Sequence, residues 1–201
     1  MSFREDPQRN DCYQGVMLRS RVDKMVHVNV DDAHRLAKSI KHPWYRCQAL
    51  AKVADCSSKT FIKSTLQESF DSAMKCHDQN RRVSVACWPL SIAIKNDLKG
   101  LASSFLEQCI SQINQEMDPI SKWCAASVLH TIKTDGDLLK SFYNTFVSAT
   151  SEGHGWRVER EIVVMLSDPD VKKDKNYISY LVSRQSAIEN WKNENLKRKA
   201  K

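Results

Sequence analysis

Glycine and proline are the first shortage: the 201-residue chain holds only five of each. Sandwiches and barrels need many tight turns, and tight turns draw on those two residues. Their scarcity argues against an all-β fold and for helices. Long apolar runs are missing too. The most apolar stretch, Val83 to Ile94, is interrupted by Ser84, Pro89 and Ser91, and it falls short of the roughly 20 residues that a helical membrane span requires. The opening Met1-Ser-Phe-Arg-Glu-Asp-Pro-Gln-Arg-Asn10 is polar and charged, unlike the apolar heart of a secretory signal. Cysteine is present seven times, an odd count with no pair at CxxC spacing. Cysteines scattered through helical pattern are expected as small buried residues in a reducing compartment. These features predict a soluble, cytoplasmic chain with no membrane attachment.

Motifs of chemistry are also lacking. Gly153 and Gly155 lie close together, but no lysine follows where a phosphate loop needs one. No His-Glu-x-x-His or nucleophile elbow occurs. Cys76 and His77 are adjacent, and neighbours on a helix diverge by about 100°, so the pair makes a poor metal chelate. The acids Asp31-Asp32 and Asp135-Gly-Asp137 fall at helix starts, where the helix dipole stabilises them. The expectation is a non-enzyme with no metal and no cofactor.

What the chain does have is apolar residues at steps of three and four. Such stripes are Ala33, Leu36, Ala37 and Ile40; Cys47, Leu50, Val53 and Ala54; and Ile62, Leu66, Phe70, Ala73 and Met74. Leu101, Phe105, Leu106, Cys109, Ile110 and Ile113 follow, then Ile120, Trp123, Val128 and Ile132. Leu138, Leu139, Phe142 and Phe146 precede Val158, Ile162, Met165 and Leu166, and a last stripe holds Tyr177, Leu181, Ile188 and Trp191. His42-Pro43 and Asp118-Pro119 read as helix starts, because proline at the first helical position loses no bond. Ser64-Thr-Leu-Gln67 and Ser104-Phe-Leu-Glu107 match the capping box. Pro89 predicts a kink or a later helix start. Val26-His-Val-Asn-Val30 alternates like a strand, but Val22, Met25 and Val26 fit a helical turn, so the segment is read as helix.

The stripes pair, and the pairs repeat. Pro43-Trp-Tyr-Arg-Cys-Gln-Ala-Leu-Ala-Lys-Val-Ala54 lies over Pro119-Ile-Ser-Lys-Trp-Cys-Ala-Ala-Ser-Val-Leu129, with looser copies at Arg82-Val-Ser-Val-Ala-Cys87 and Trp156-Arg-Val-Glu-Arg160. The recurring basic residue steps from Arg46 to Arg82, Lys122 and Arg157, by 36, 40 and 35 positions, a period typical of helical-hairpin arrays. In this the chain resembles the HEAT-like and armadillo-like α-solenoid family. The resemblance implies an all-α fold: a right-handed stack of about four antiparallel helical hairpins, a HEAT-like superhelix. The hairpins would occupy 31–168, with 1–30 capping one end and a basic helix at 169–201 capping the other. It further implies a curved surface that binds a protein or, less often, nucleic acid.

The formal net charge is +7, and its placement matters. Residues 172–201 carry nine Lys/Arg against three Asp/Glu, whereas 31–171 carry seventeen of each sign. Lys197, Arg198 and Lys199 thus form a basic tail on a neutral body. A solvated helix end explains such a tail, and contact with phosphates is the functional alternative. Trp44, Trp88, Trp123 and Trp156 fall near the starts of second helices, where they fill seams between hairpins or form an exposed stacking ladder. The sequence therefore predicts a protein-interaction module. Its candidate contact residues are Arg46, Arg82, Lys122, Arg157, Lys197, Arg198 and Lys199. Nucleic-acid binding through the basic residues is the alternative, and self-association through the last helix is a further possibility.

Overall fold

The computed structural model describes residues 11–117, 122 and 124–152, with scattered positions between 162 and 190. Among the described residues eight helices run in order: α1 Cys12–Met25, α2 Val30–Ser39, α3 Pro43–Asp55, α4 Ile62–Met74, α5 Gln79–Lys95, α6 Lys99–Gln115, α7 Cys124–Ile132 and α8 Gly136–Glu152. Among the described residues there is no strand, and no helix is long and apolar enough to cross a membrane. The chain divides into two compact units, Met1–Glu116 and Met117–Lys201.

In the first unit, α3 is the centre. Cys47, Ala49, Leu50, Ala51, Val53 and Ala54 are all buried. A helix that is apolar nearly all round must be surrounded, and α3 touches α1, α2, α4 and α5. By contrast α2 buries only Ala33 and Ala37 along its length. Val22 of α1 and Val26 just past its end join Ala33, Ala37, Ile40, Ala49, Leu50 and Val53 in one cluster, so α1 closes over α2 and α3. Further along, α4 and α6 meet through stacked Phe70 and Phe105, whose ring centres are 4.1 Å apart. Such a pair adds about 0.5–1.5 kcal/mol beyond the area it buries. Packed helix pairs thus make up the unit, as in a helical repeat.

Helix starts follow local chemistry. Asn29 accepts a hydrogen bond from the Asp32 N–H and Asp78 from the Arg81 N–H, each capping its helix. Pro43 opens α3 after an extended His42. The two capping-box matches are corrected. Ser64 lies inside α4, where its hydroxyl donates to the Phe61 carbonyl at 3.0 Å, and Ser104 lies inside α6. A serine within the first turns bonds back to a carbonyl as readily as it caps, so the pattern misplaced both starts. Val26 to Val28 form a turn between α1 and α2, and Val28 is 89 % exposed. Pro89 neither delays nor ends α5, which runs through it from Gln79 to Lys95. The carbonyl four residues before that proline belongs to Val85, and it accepts instead from the Cys47 thiol at 3.4 Å.

In the second unit α7 packs on α8. Ala125, Ala126, Val128, Leu129 and Ile132 face Leu138, Phe142 and Phe146 as the buried sets of the two helices. Asp135 caps α8 by accepting from the N–H groups of Asp137 and Leu138, both at 3.1 Å. Ile162 and Leu181 are buried as well. The expected start at Asp118-Pro119, the Val158 stripe apart from Ile162 and Leu166, and Tyr177, Ile188 and Trp191 lie outside the described residues.

Candidate functional site

Two cavities lie between α2 and α4 and meet at Glu68. The first, of about 490 Å³, is lined by Val30, Asp31, His34, Val53, Phe61 and Thr65, together with Ser57, Ser58, Ser64 and Glu68. The second, of about 290 Å³, is lined by Lys38, Arg46, Leu50, Glu68, Asp71, Ser72 and Lys75. Residue numbers rise in the same order along α2 and α4 from one cavity to the next, so these two helices form parallel walls. Numbers fall along α3, whose Val53, Leu50 and Arg46 form an antiparallel floor. Residues three and four apart share one helix face, which is how α3 sends those three side chains into one line.

The polar groups differ between the two ends. Glu68 holds the middle, with one oxygen 3.0 Å from His34 Nε2 and 3.4 Å from Lys38 Nζ. At the first end, the Asp31 carboxylate has no partner among the described residues. Thr65 is 3 % exposed, and its hydroxyl makes no hydrogen bond to a described residue either. Phe61 stands at the rim, 66 % exposed. At the other end, Arg46 donates through Nε to Ser72 Oγ at 3.1 Å, and its terminal NH₂ groups have no acceptor among the described residues. The groove therefore has an acidic, aromatic end and a basic end.

Of the residues expected from sequence that are described, Arg46 alone lines this groove. Arg82 has a packing role: its Nε donates to the Cys76 carbonyl and its Nη1 to Gln112 Oε1, both at 2.9 Å. Arg46 and Arg82, each on its own helix, thus reach to the helix that follows, α4 and α6 respectively. Lys122 is half-buried in a short helical turn of the second unit. Arg157, Lys197, Arg198 and Lys199 lie outside the described residues. Trp44 is half-buried and Trp88 is 46 % exposed, while Trp123 and Trp156 are outside the described set. Sequence reasoning missed Asp31, His34, Phe61, Thr65 and Glu68 as site residues. Their only signal was polar residues at steps of three and four beside an apolar stripe, which every solvated helix face also shows.

None of the seven cysteines is joined in a disulfide. No protein family, no curated protein and no solved structure matches this chain.

Proposed function

We propose that the chain is a non-enzymatic, HEAT-like helical-repeat module that binds a protein partner, using the groove between α2 and α4. The observation that carries this reading is the groove itself: a three-helix trough with polar groups at both ends that have no partner among the described residues, and an exposed ring at its rim. Thr65 is buried and Arg46 half-buried, where polar groups left without partners cost free energy, and a bound segment would supply bonds to them and to the exposed Asp31 carboxylate. The packing roles of Arg46 and Arg82 agree with a hairpin repeat, since two helices one period apart use the same side chain to brace the next helix.

A photo-crosslinking amino acid placed at Phe61 tests the function, with the same probe at Lys99 on α6 as reference. Segments captured from Phe61 alone are synthesised and titrated against the purified chain. Saturable binding that weakens when Asp31 or Thr65 is changed supports the reading. Captured segments that fail to bind the purified chain overturn it. Generic RNA or DNA that binds tightly, with affinity falling steeply as salt rises, would favour the nucleic-acid alternative and its basic tail.

A further inference from the structure

We infer that the groove receives an extended peptide segment carrying a basic side chain and, about three residues away, an acidic one. This rests on the protein-binding reading above and names the partner's chemistry.

The argument is charge complementarity at each end. Asp31 offers a solvent-exposed carboxylate, and Thr65, 3 % exposed as a residue, lines the same cavity; neither side chain has a partner among the described residues. A guanidinium or ammonium group supplies both needs, since it donates to carboxylate and hydroxyl alike. Its aliphatic stem would lie over Val30 and Val53, and the exposed Phe61 ring lines the same cavity, within reach of a cation–π contact. The 490 Å³ of that cavity has room for such a side chain.

At the other end the lining cations are Lys38, Arg46 and Lys75, against the anions Glu68 and Asp71. One Glu68 oxygen is engaged by Lys38, and Asp71 accepts from Gln67 at 2.9 Å. The Arg46 guanidinium, which among the described residues is hydrogen-bonded through Nε alone, suits a carboxylate; the flanking acids Glu68 and Asp71 would repel a dianionic phosphate. Arg46 presents its fork of terminal N–H donors, the geometry that carboxylates accept bidentately.

Spacing sets the register. Asp31 and Lys38 mark the two ends on α2, two helical turns or about 10 Å apart. An extended peptide covers that distance in about three residues. Glu68, tied to His34 and Lys38, stands between the two seats and separates the opposite charges of the ligand.

The test is a selection of random twelve-residue phage-displayed peptides on the full chain. Enriched sequences are then measured by fluorescence polarisation against the wild type, Asp31→Asn, Thr65→Val, Arg46→Gln and, as a control outside the groove, Lys59→Gln. The expected winners pair Arg or Lys with Asp or Glu at about three-residue spacing. Asp31→Asn and Arg46→Gln should each weaken binding on the order of tenfold, and Lys59→Gln should not. Replacing the peptide's basic residue by Gln should abolish the effect of Asp31→Asn alone; replacing its acid should abolish that of Arg46→Gln alone. This pairing holds even if Arg46→Gln loosens α3 from α4, because a merely structural loss would not depend on the peptide's acid. Winners of a single charge sign, or affinities indifferent to Asp31 and Arg46, overturn the inference and leave the binding-module reading standing. No enrichment over an unrelated helical protein overturns both.

Discussion

The thiol of Cys47 on α3 donates at 3.4 Å to the carbonyl of Val85 on α5, the carbonyl that Pro89 leaves without its helical N–H. Both residues are fully buried, so no water replaces the bond. A proline inside a helix removes one hydrogen bond and crowds the carbonyl four residues back; here a neighbouring helix answers the vacancy. Ser69 on α4 joins the same knot, donating to the Cys47 carbonyl at 2.8 Å. Three helices are thus tied at one buried point.

The first prediction is a coupling. Cys47→Ala should destabilise the chain by about 1–3 kcal/mol, the cost of leaving a buried acceptor unsatisfied plus a small cavity. In a Pro89→Ala background the new Ala N–H serves the Val85 carbonyl, and Cys47→Ala should cost about 1 kcal/mol less. Urea denaturation of the four proteins measures the cycle. Additive effects would show that the thiol and the proline are independent.

Burial also pushes the Cys47 thiol up from its ordinary range, with the Ser69 hydrogen bond only partly opposing it. The sign follows from proton linkage. A group whose folded-state pKa is raised contributes stability in full below its unfolded value, near pH 8.5 to 9. Above that, the unfolded chain releases the proton and the folded chain keeps it. Stability should therefore fall by up to about 1.4 kcal/mol per pH unit above pH 9 on account of this thiol. Cys47→Ala should show a correspondingly shallower alkaline slope in denaturation curves taken from pH 7.5 to 10.

Gly15 and Gly100 should respond oppositely to alanine. A Cβ on Gly15 of α1 would lie 2.5 Å from Tyr45 Cδ2 on α3. Tyr45 is held by His42, 4.9 Å away ring to ring, and by Arg19 over its face, so it has little freedom to retreat. Overpacking of about 1–3 kcal/mol outweighs the helix propensity gained, about 1 kcal/mol. Gly15→Ala should lower the thermal midpoint. Gly100, in the first turn of α6, has nothing within 4 Å of the same atom, and Gly100→Ala should hold or raise it. The same sign for both would mean that α1 does not approach α3 this closely.

Helical class was legible because stripes at steps of three and four recur from Ala33 to Phe146, and burial follows them: Ala33, Leu50, Leu66, Phe70, Phe105, Ile132 and Phe142 are all interior. The Arg46-to-Arg82 period picked out two arginines that each reach to the following helix, although their purpose was not legible. A repeated cation beside an apolar stripe reads as a surface row; only coordinates show that Arg82 spends its donors on Cys76 and Gln112. Helix starts were legible where proline or a capping Asp fixed them, as at Pro43 and Asp135. They were misread at Ser64 and Ser104, because a serine hydroxyl can accept as a cap or donate to a carbonyl with similar ease. The groove was hidden for a different reason. Asp31, Thr65 and Arg46 lie on three helices, and a charge on a polar stripe carries no mark of whether a concavity lies beside it.

The end of α5 offers the last prediction. Leu98 N–H bonds the Ala93 carbonyl at 2.9 Å and Asp97 N–H bonds that of Ile94 at 3.0 Å, the paired bonds of a Schellman cap. The residue between helix and cap must take the left-handed conformation, and Asp97 does so with φ of 53°. Glycine is the usual occupant because it lacks the Cβ that makes this region costly, by about 1 kcal/mol for other residues. Asp97 is exposed, and its carboxylate lies 4.0 Å from Lys99 Nζ in a solvated pair, which contributes little. Its negative charge also sits at the negative end of the helix dipole. Asp97→Gly should therefore stabilise the chain, by about 0.5–1 kcal/mol, and Asp97→Ala should gain less because it keeps the Cβ. Thermal and urea midpoints of the three proteins decide the point; a destabilised Asp97→Gly would show that the ion pair outweighs the backbone strain.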